Sequence, residues 1–88
     1  MTKIVPGTQS FSRSIAVLQA ISDCSAPPTA ADLLVDCGLS RPTLFRILAS
    51  LEAEGLARKT NQGCYLPGIR LVGLARRALE DIDIRSLA

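Results

Sequence analysis

The run from Thr29 to Gly55 constrains the fold more than any other part of the chain, because it holds two amphipathic segments, each closed by a Gly-Leu pair. Thr29 with Asp32 three residues later is a Thr-x-x-Asp capping box, in which hydroxyl and carboxylate satisfy N–H groups that a first helical turn leaves unpaired. Ala30, Leu33, Leu34 and Cys37 follow at helical spacing. Gly38-Leu39 then predicts a stop: Gly38 stands where a helix end needs a positive φ, and Leu39 is placed to touch Leu34. Ser40 predicts the N-cap of a second helix, whose Leu44, Ile47, Leu48 and Leu51 form one apolar stripe. Gly55-Leu56 repeats the stop with Leu51 as its contact. The spacing therefore predicts a helix-turn-helix with one inner face.

The flanks complete the architecture. Residues 1–9 contain Pro6-Gly7 and no periodicity, which predicts a flexible arm leading to a first helix from about Ser10 to Cys24, with Phe11, Ile15, Leu18 and Ile21 on its buried side. Ala26-Pro27-Pro28 breaks the chain before Thr29. After the second helix of the pair, Leu56 to Lys59 and Cys64 to Pro67 have the length of hairpin strands, joined by the turn-forming Thr60-Asn61-Gln62-Gly63. That hairpin reads as a wing. From Ile69 the helical period returns, with Val72, Ala75, Leu79 and Ile82 on one stripe and Leu71, Leu74 and Ala78 beside it. The expected fold class is mainly α with a small β-hairpin: a winged helix-turn-helix over residues 10–68, then a linker helix over 69–88.

Composition narrows the chemistry. Eighty-eight residues, 48% of them hydrophobic, suffice for one small core. The apolar runs are too short to span a bilayer and no secretory signal follows Met1-Thr2-Lys3, which places the chain in the cytoplasm, away from membranes. Cys24, Cys37 and Cys64 lack C-x-x-C spacing, and no histidine is present to complete a zinc site, so they read as reduced structural thiols. The missing histidine also removes the commonest general base, and no Gly-rich phosphate loop occurs. Neither an enzyme nor a metal or cofactor site is expected. The formal charge of +2 is small but uneven: from Arg41 to Arg77 seven basic residues stand against two acidic ones, while Asp23, Asp32 and Asp36 precede the block and Glu80, Asp81 and Asp83 follow it. This asymmetry defines a candidate double-stranded DNA face.

The order of these parts resembles the IclR family of bacterial transcription regulators. The resemblance spans about residues 10 to 88 and is carried by Ser12-Arg13-Ser14-Ile15-Ala16-Val17-Leu18, by Gly38-Leu39-Ser40-Arg41-Pro42-Thr43-Leu44-Phe45-Arg46-Ile47-Leu48, by Leu51-Glu52-Ala53-Glu54-Gly55-Leu56, and by Tyr65 and Gly68. It implies an N-terminal winged helix-turn-helix, a linker helix, and a larger C-terminal domain that binds small-molecule effectors. Asp83 to Ala88 resembles the junction where that domain begins, so the effector domain itself is expected to be absent from this chain. Pro67 departs from the family pattern by removing a backbone donor, which predicts a short or edge second strand.

At about 100° per residue, the inward stripe of the second helix points Pro42, Arg46, Ala49 and Ala53 outward, with Thr43, Phe45 and Ser50 on the flanks. Helices of this kind read base edges mainly with their N-terminal residues, so Arg41, Pro42, Thr43, Phe45 and Arg46 lead the expected DNA contacts, with Ser40 at the helix start, where a phosphate is attracted, and Ser50 on the flank. Arg46 can contact guanine bidentately or grip a phosphate; no acidic neighbour three or four residues away competes for it. Helix starts add Thr29 and Arg13, and the wing adds Arg58, Lys59, Asn61 and Gln62, against the alternative of a merely capped helix and a solvated hairpin. Arg70, Arg76 and Arg77 read as solvent-facing linker residues. Only three scattered aromatics argue against a single-strand stacking platform. A homodimer is expected, through Leu71, Val72, Leu74, Ala75, Ala78, Leu79 and Ile82, with the resemblance adding the first helix as a second surface. The rival is a winged helix serving as a protein-interaction module without DNA.

Overall fold

The computed structural model describes residues 7–82. Residues 1–6 of the expected arm and 83–88 of the expected junction lie outside them. The elements follow in the order α1 (Gln9–Asp23), α2 (Ala30–Cys37), α3 (Arg41–Ala53), β1 (Ala57–Lys59), β2 (Tyr65–Pro67) and α4 (Arg70–Leu79). This is a winged helix-turn-helix, with the three first helices packed around one core and the hairpin beside them.

Local chemistry sets the boundaries. Thr29 accepts from the Asp32 N–H at 3.2 Å while the Asp32 carboxylate accepts from the Thr29 N–H at 3.0 Å, closing the capping box at the start of α2. Gly38 adopts φ 65° and donates to the Leu34 carbonyl at 3.1 Å. Ser40 caps α3, and Pro42 lies in the first turn, where its missing N–H costs nothing. The end of α3 is a Schellman motif: Leu56 N–H bonds to Leu51 O at 2.8 Å, Gly55 N–H bonds to Glu52 O at 3.0 Å, and Gly55 takes φ 74°.

Leu33, Leu44, Ile47, Leu48 and Leu51 form the buried centre with Val17, Ile21, Ala57 and Tyr65. Ala30, Leu34, Cys37 and Leu39 are half-buried against it. On α1 the expected inner line needs correction. Phe11 is 67% exposed and Ile15 44%, Leu18 is half-buried, and Val17 sits at 0% beside Ile21. The apolar surface of α1 is wider than one stripe, and the core takes its Val17/Ile21 edge. The helix also starts one residue earlier than expected, so Gln9 belongs to it and not to an arm.

The hairpin pairs antiparallel with Ala57 opposite Pro67, Arg58 opposite Leu66 and Lys59 opposite Tyr65. The Tyr65 N–H points the other way, to the Pro28 carbonyl at 2.8 Å, and Thr29 makes an isolated bridge with Cys64. Position 67 lies two residues on and presents its nitrogen to that same outer side, so Pro67 removes no β1–β2 bond. The second strand is short, as expected, but its proline sits at a non-hydrogen-bonded rung.

Gly68 N–H bonds to Leu56 O at 2.8 Å where the chain crosses back over the end of α3. A Cβ at Gly68 would lie 2.1 Å from the Gly55 carbonyl oxygen, so only glycine fits this crossing. From there α4 runs out with none of its residues buried; Val72 is 51% and Leu74 55% exposed. Ile82, expected on its stripe, lies past the helix end at Leu79, because Glu80 and Asp81 form a turn. No described helix is long and apolar enough to cross a membrane.

Candidate nucleic-acid interface

The inner stripe of α3 is fixed in the core, so its remaining faces are fixed too. Arg41, Pro42, Phe45, Arg46, Ala49 and Ser50 are exposed and Thr43 is half-buried. Ser40 Oγ donates to Thr43 Oγ1 at 2.9 Å and accepts from the Thr43 N–H at 3.4 Å. The cap therefore occupies both residues without consuming the Thr43 hydroxyl hydrogen. The Arg41 guanidinium lies 5.9 Å from the Phe45 ring centroid, an i,i+4 contact that holds a cation at the first turn of the helix. That pair was available from spacing alone and sequence reasoning had treated its members separately.

Arg46 makes no ion pair among the described residues. It lines a shallow groove of about 360 Å³ in which Ser10, Arg13 and Ser14 of α1 face Thr43, Arg46, Ile47 and Ser50 of α3. The structure thus brings Arg13 to the recognition helix, and adds Ser10 and Ser14, which sequence reasoning missed. Their signal was positional: Ser10 and Ser14 share with Arg13 the face of α1 that turns to α3.

The wing residues are placed by the hairpin register. Lys59 stands directly across from Tyr65, its ammonium 6.0 Å from the ring centroid. Tyr65 is itself buried, and that burial, with the Glu52 charge second, pushes its phenol up from the ordinary range. Arg58, Asn61 and Gln62 are exposed, and the tip is closed by the Gly63 N–H on Thr60 O at 3.0 Å with Gly63 at φ 80°. Thr29 borders the hairpin through its bridge to Cys64, with its hydroxyl oxygen accepting from the Asp32 N–H and its own N–H donating to the Asp32 carboxylate. The capping reading of Thr29 is thus in place, and the Thr29 hydroxyl keeps its hydrogen to give.

The linker arginines face solvent, as expected, and two of them form surface ion pairs. Arg70 pairs with Glu54, and Arg77 pairs with Glu80. Arg76 is exposed without an ion pair among the described residues. The three cysteines are free, half-buried thiols; burial first, then the Asp36 charge and Cys24, raises that of Cys37.

Comparison with known proteins places this geometry. The IclR helix-turn-helix domain matches residues 10–61. Among curated proteins nothing matches. Several solved structures share the fold. An IclR family transcriptional regulator from Brucella abortus is 21% identical with a TM-score of 0.77, covering 100% of this chain and 34% of its own. The Agobacterium tumefaciens repressor BlcR is 22% identical with a TM-score of 0.74, covering 90% and 32%. An IclR homolog from Microbacterium hydrocarbonoxydans, solved with 4-hydroxybenzoate, is 24% identical with a TM-score of 0.74, covering 91% and 33%. The chain spans about a third of the length of these structures. With more than half of its residues matched, the chain belongs to the IclR helix-turn-helix family, as a DNA-binding transcription-regulator domain and not an enzyme.

Proposed function

We propose that this chain recognises a specific duplex DNA sequence as the DNA-binding portion of an effector-responsive regulator in the cytoplasm. The observation that carries the reading is the disposition of α3: its back is locked in the core while Arg41, Pro42, Phe45 and Arg46 stand exposed on the N-terminal half that enters a major groove. Arg41, Pro42, Thr43 and Phe45 meet base edges; Ser40, Ser50 and Arg13 lie at the borders, and Arg58, Lys59, Asn61 and Gln62 of the wing follow the backbone.

The protein works as a homodimer that sets two recognition helices about one helical turn (~34 Å) apart. The exposed apolar surface of α4, with Val72, Leu74, Ala75, Ala78 and Leu79 beside the half-buried Leu71, and Ile82 just beyond, supports this, since exposed apolar area of that kind marks an interaction surface. A small-molecule effector acts through a C-terminal domain of the kind the family resemblance implies.

Fluorescence anisotropy of the chain with a duplex from its own upstream region, against a scrambled duplex, at two salt concentrations tests the reading. Preference for the native duplex that survives higher salt is the expected result. Equal, salt-labile binding would reduce the claim to a backbone grip. Absence of binding would put a protein-docking module in its place.

A further inference from the structure

The groove between α1 and α3 is lined by two guanidiniums and no acid. Arg13 and Arg46 approach it from opposite helices, and neither has an ion pair or hydrogen bond with another described residue. Two like charges facing one cleft repel, and an anion seated between them would relieve that repulsion. Hydroxyl donors surround the pair. Ser10 and Ser50 have theirs uncommitted, and Thr43 accepts from Ser40 while keeping its own hydrogen to give; only Ser14 spends its hydrogen, on the Ser10 carbonyl at 2.9 Å. A tetrahedral dianion or diester, all acceptors, matches such a donor set. On the far side of Arg13 a second groove holds Asp36, without an ion pair to it, so the arginine stays available.

We propose that this groove seats one backbone phosphate of the bound duplex, clamped by Arg13 of α1 and Arg46 of α3 together. The assignment rests on the duplex-binding reading above and deepens it: α1 is part of the DNA interface, and Arg46 positions the domain and leaves base reading to the first turn of α3. A free phosphate would satisfy the same donors, but the groove opens on the flank of the helix that faces DNA, where a diester arrives with the duplex.

The test compares the full chain with Arg13→Gln, Arg46→Gln and the double variant, all at exposed positions and each checked for an unchanged thermal melt. Affinities for native and scrambled duplexes are measured across a salt series. Each single substitution is expected to weaken both duplexes about tenfold, with base preference unchanged. The double variant is expected to lose a single phosphate's share of the salt slope, about 0.9. A methylphosphonate scan should locate one backbone position whose neutralisation weakens the parent and leaves the double variant unaffected. A slope change near twice that size, a shift in base preference on Arg46→Gln, or no effect of Arg13→Gln each overturns the shared clamp while duplex binding by the parent stands. Failure of the parent to bind any duplex takes down both readings. Saturation of the groove by inorganic phosphate alone at low millimolar concentration, followed by amide shifts, would make it a free-anion site and overturn the assignment to DNA.

Discussion

The Nη1 of Arg70 lies 2.7 Å from the Glu54 carboxylate and 3.0 Å from the Glu54 carbonyl oxygen, so a single side chain on α4 both pairs with and caps the end of α3. The pair is exposed, and such pairs contribute about 0–1 kcal/mol. The carbonyl bond survives loss of the acid but not loss of the base. Glu54→Ala is therefore expected to lower stability by less than Arg70→Ala, both by under about 1 kcal/mol, with added salt shrinking both losses and leaving the order unchanged. Urea denaturation of the two variants at low and high salt reads this ordering.

Glycines 38 and 68 serve different needs and should fail differently. Gly38 has open space around it and needs only a left-handed backbone, so Gly38→Ala should cost about 1 kcal/mol and Gly38→Asn less. A Cβ added at Gly68 would meet the backbone of Gly55 and Leu56 at under 3 Å. Gly68→Ala should cost more, about 2 to 3 kcal/mol, because backbone and not a flexible side chain must move. Equal unfolding midpoints for the two alanine variants would contradict this.

The capping box gives a local prediction. Thr29→Ala removes the acceptor for the Asp32 N–H and should destabilise the chain by about 1 kcal/mol. Since Thr29 also borders the hairpin through its bridge to Cys64, hydrogen exchange should show loosening of the Tyr65 amide as well as of α2.

Wing and linker cations separate in the salt dependence of DNA binding. Lys59, held across from Tyr65, is expected to touch a phosphate, so Lys59→Ala should flatten the slope by about 0.9. Arg76→Ala should leave the slope unchanged. The reverse pattern would assign the wing to solvent and α4 to DNA.

The raised thiol of Cys37 gives a pH dependence of known sign. The folded chain keeps this proton to higher pH than the unfolded chain. The associated stability is complete below the unfolded thiol range and is lost as pH rises through it toward the folded value. Urea midpoints of the parent should fall more steeply with alkalinity than those of Cys37→Ala, while Tyr65 adds a later fall shared by both. Parallel curves would remove Cys37 as the cause.

Much of the fold was legible because its stops are local. A cap, a glycine and a following leucine act within one turn, and both Gly-Leu stops and the capping box lie where spacing put them. Orientation was less legible. Phe11, Ile15 and Val17 are all apolar on one helix, and only the packing of α2 and α3 decides which edge is buried. The same limit hid the groove: Arg13 and Arg46 are far apart in sequence, and no local period records that α1 and α3 cross beside them. Pro28 read as a breaker, yet its carbonyl serves the Tyr65 amide, a pairing that closes over 37 residues of chain.

The crossing of Gly68 over Gly55 has a mechanical meaning. The Arg70 N–H bonds to Gly55 O at 3.2 Å, so the first residue of α4 grips the residue that ends α3's Schellman stop. Beyond this grip α4 extends about 15 Å as a free spar. The hydrogen bonds at its base, from Arg70 to Gly55 and to Glu54, all fasten it to the end of the helix that carries Arg46. Gly68 and Gly55 are thereby the joint by which the base of α4 is fastened to the end of α3.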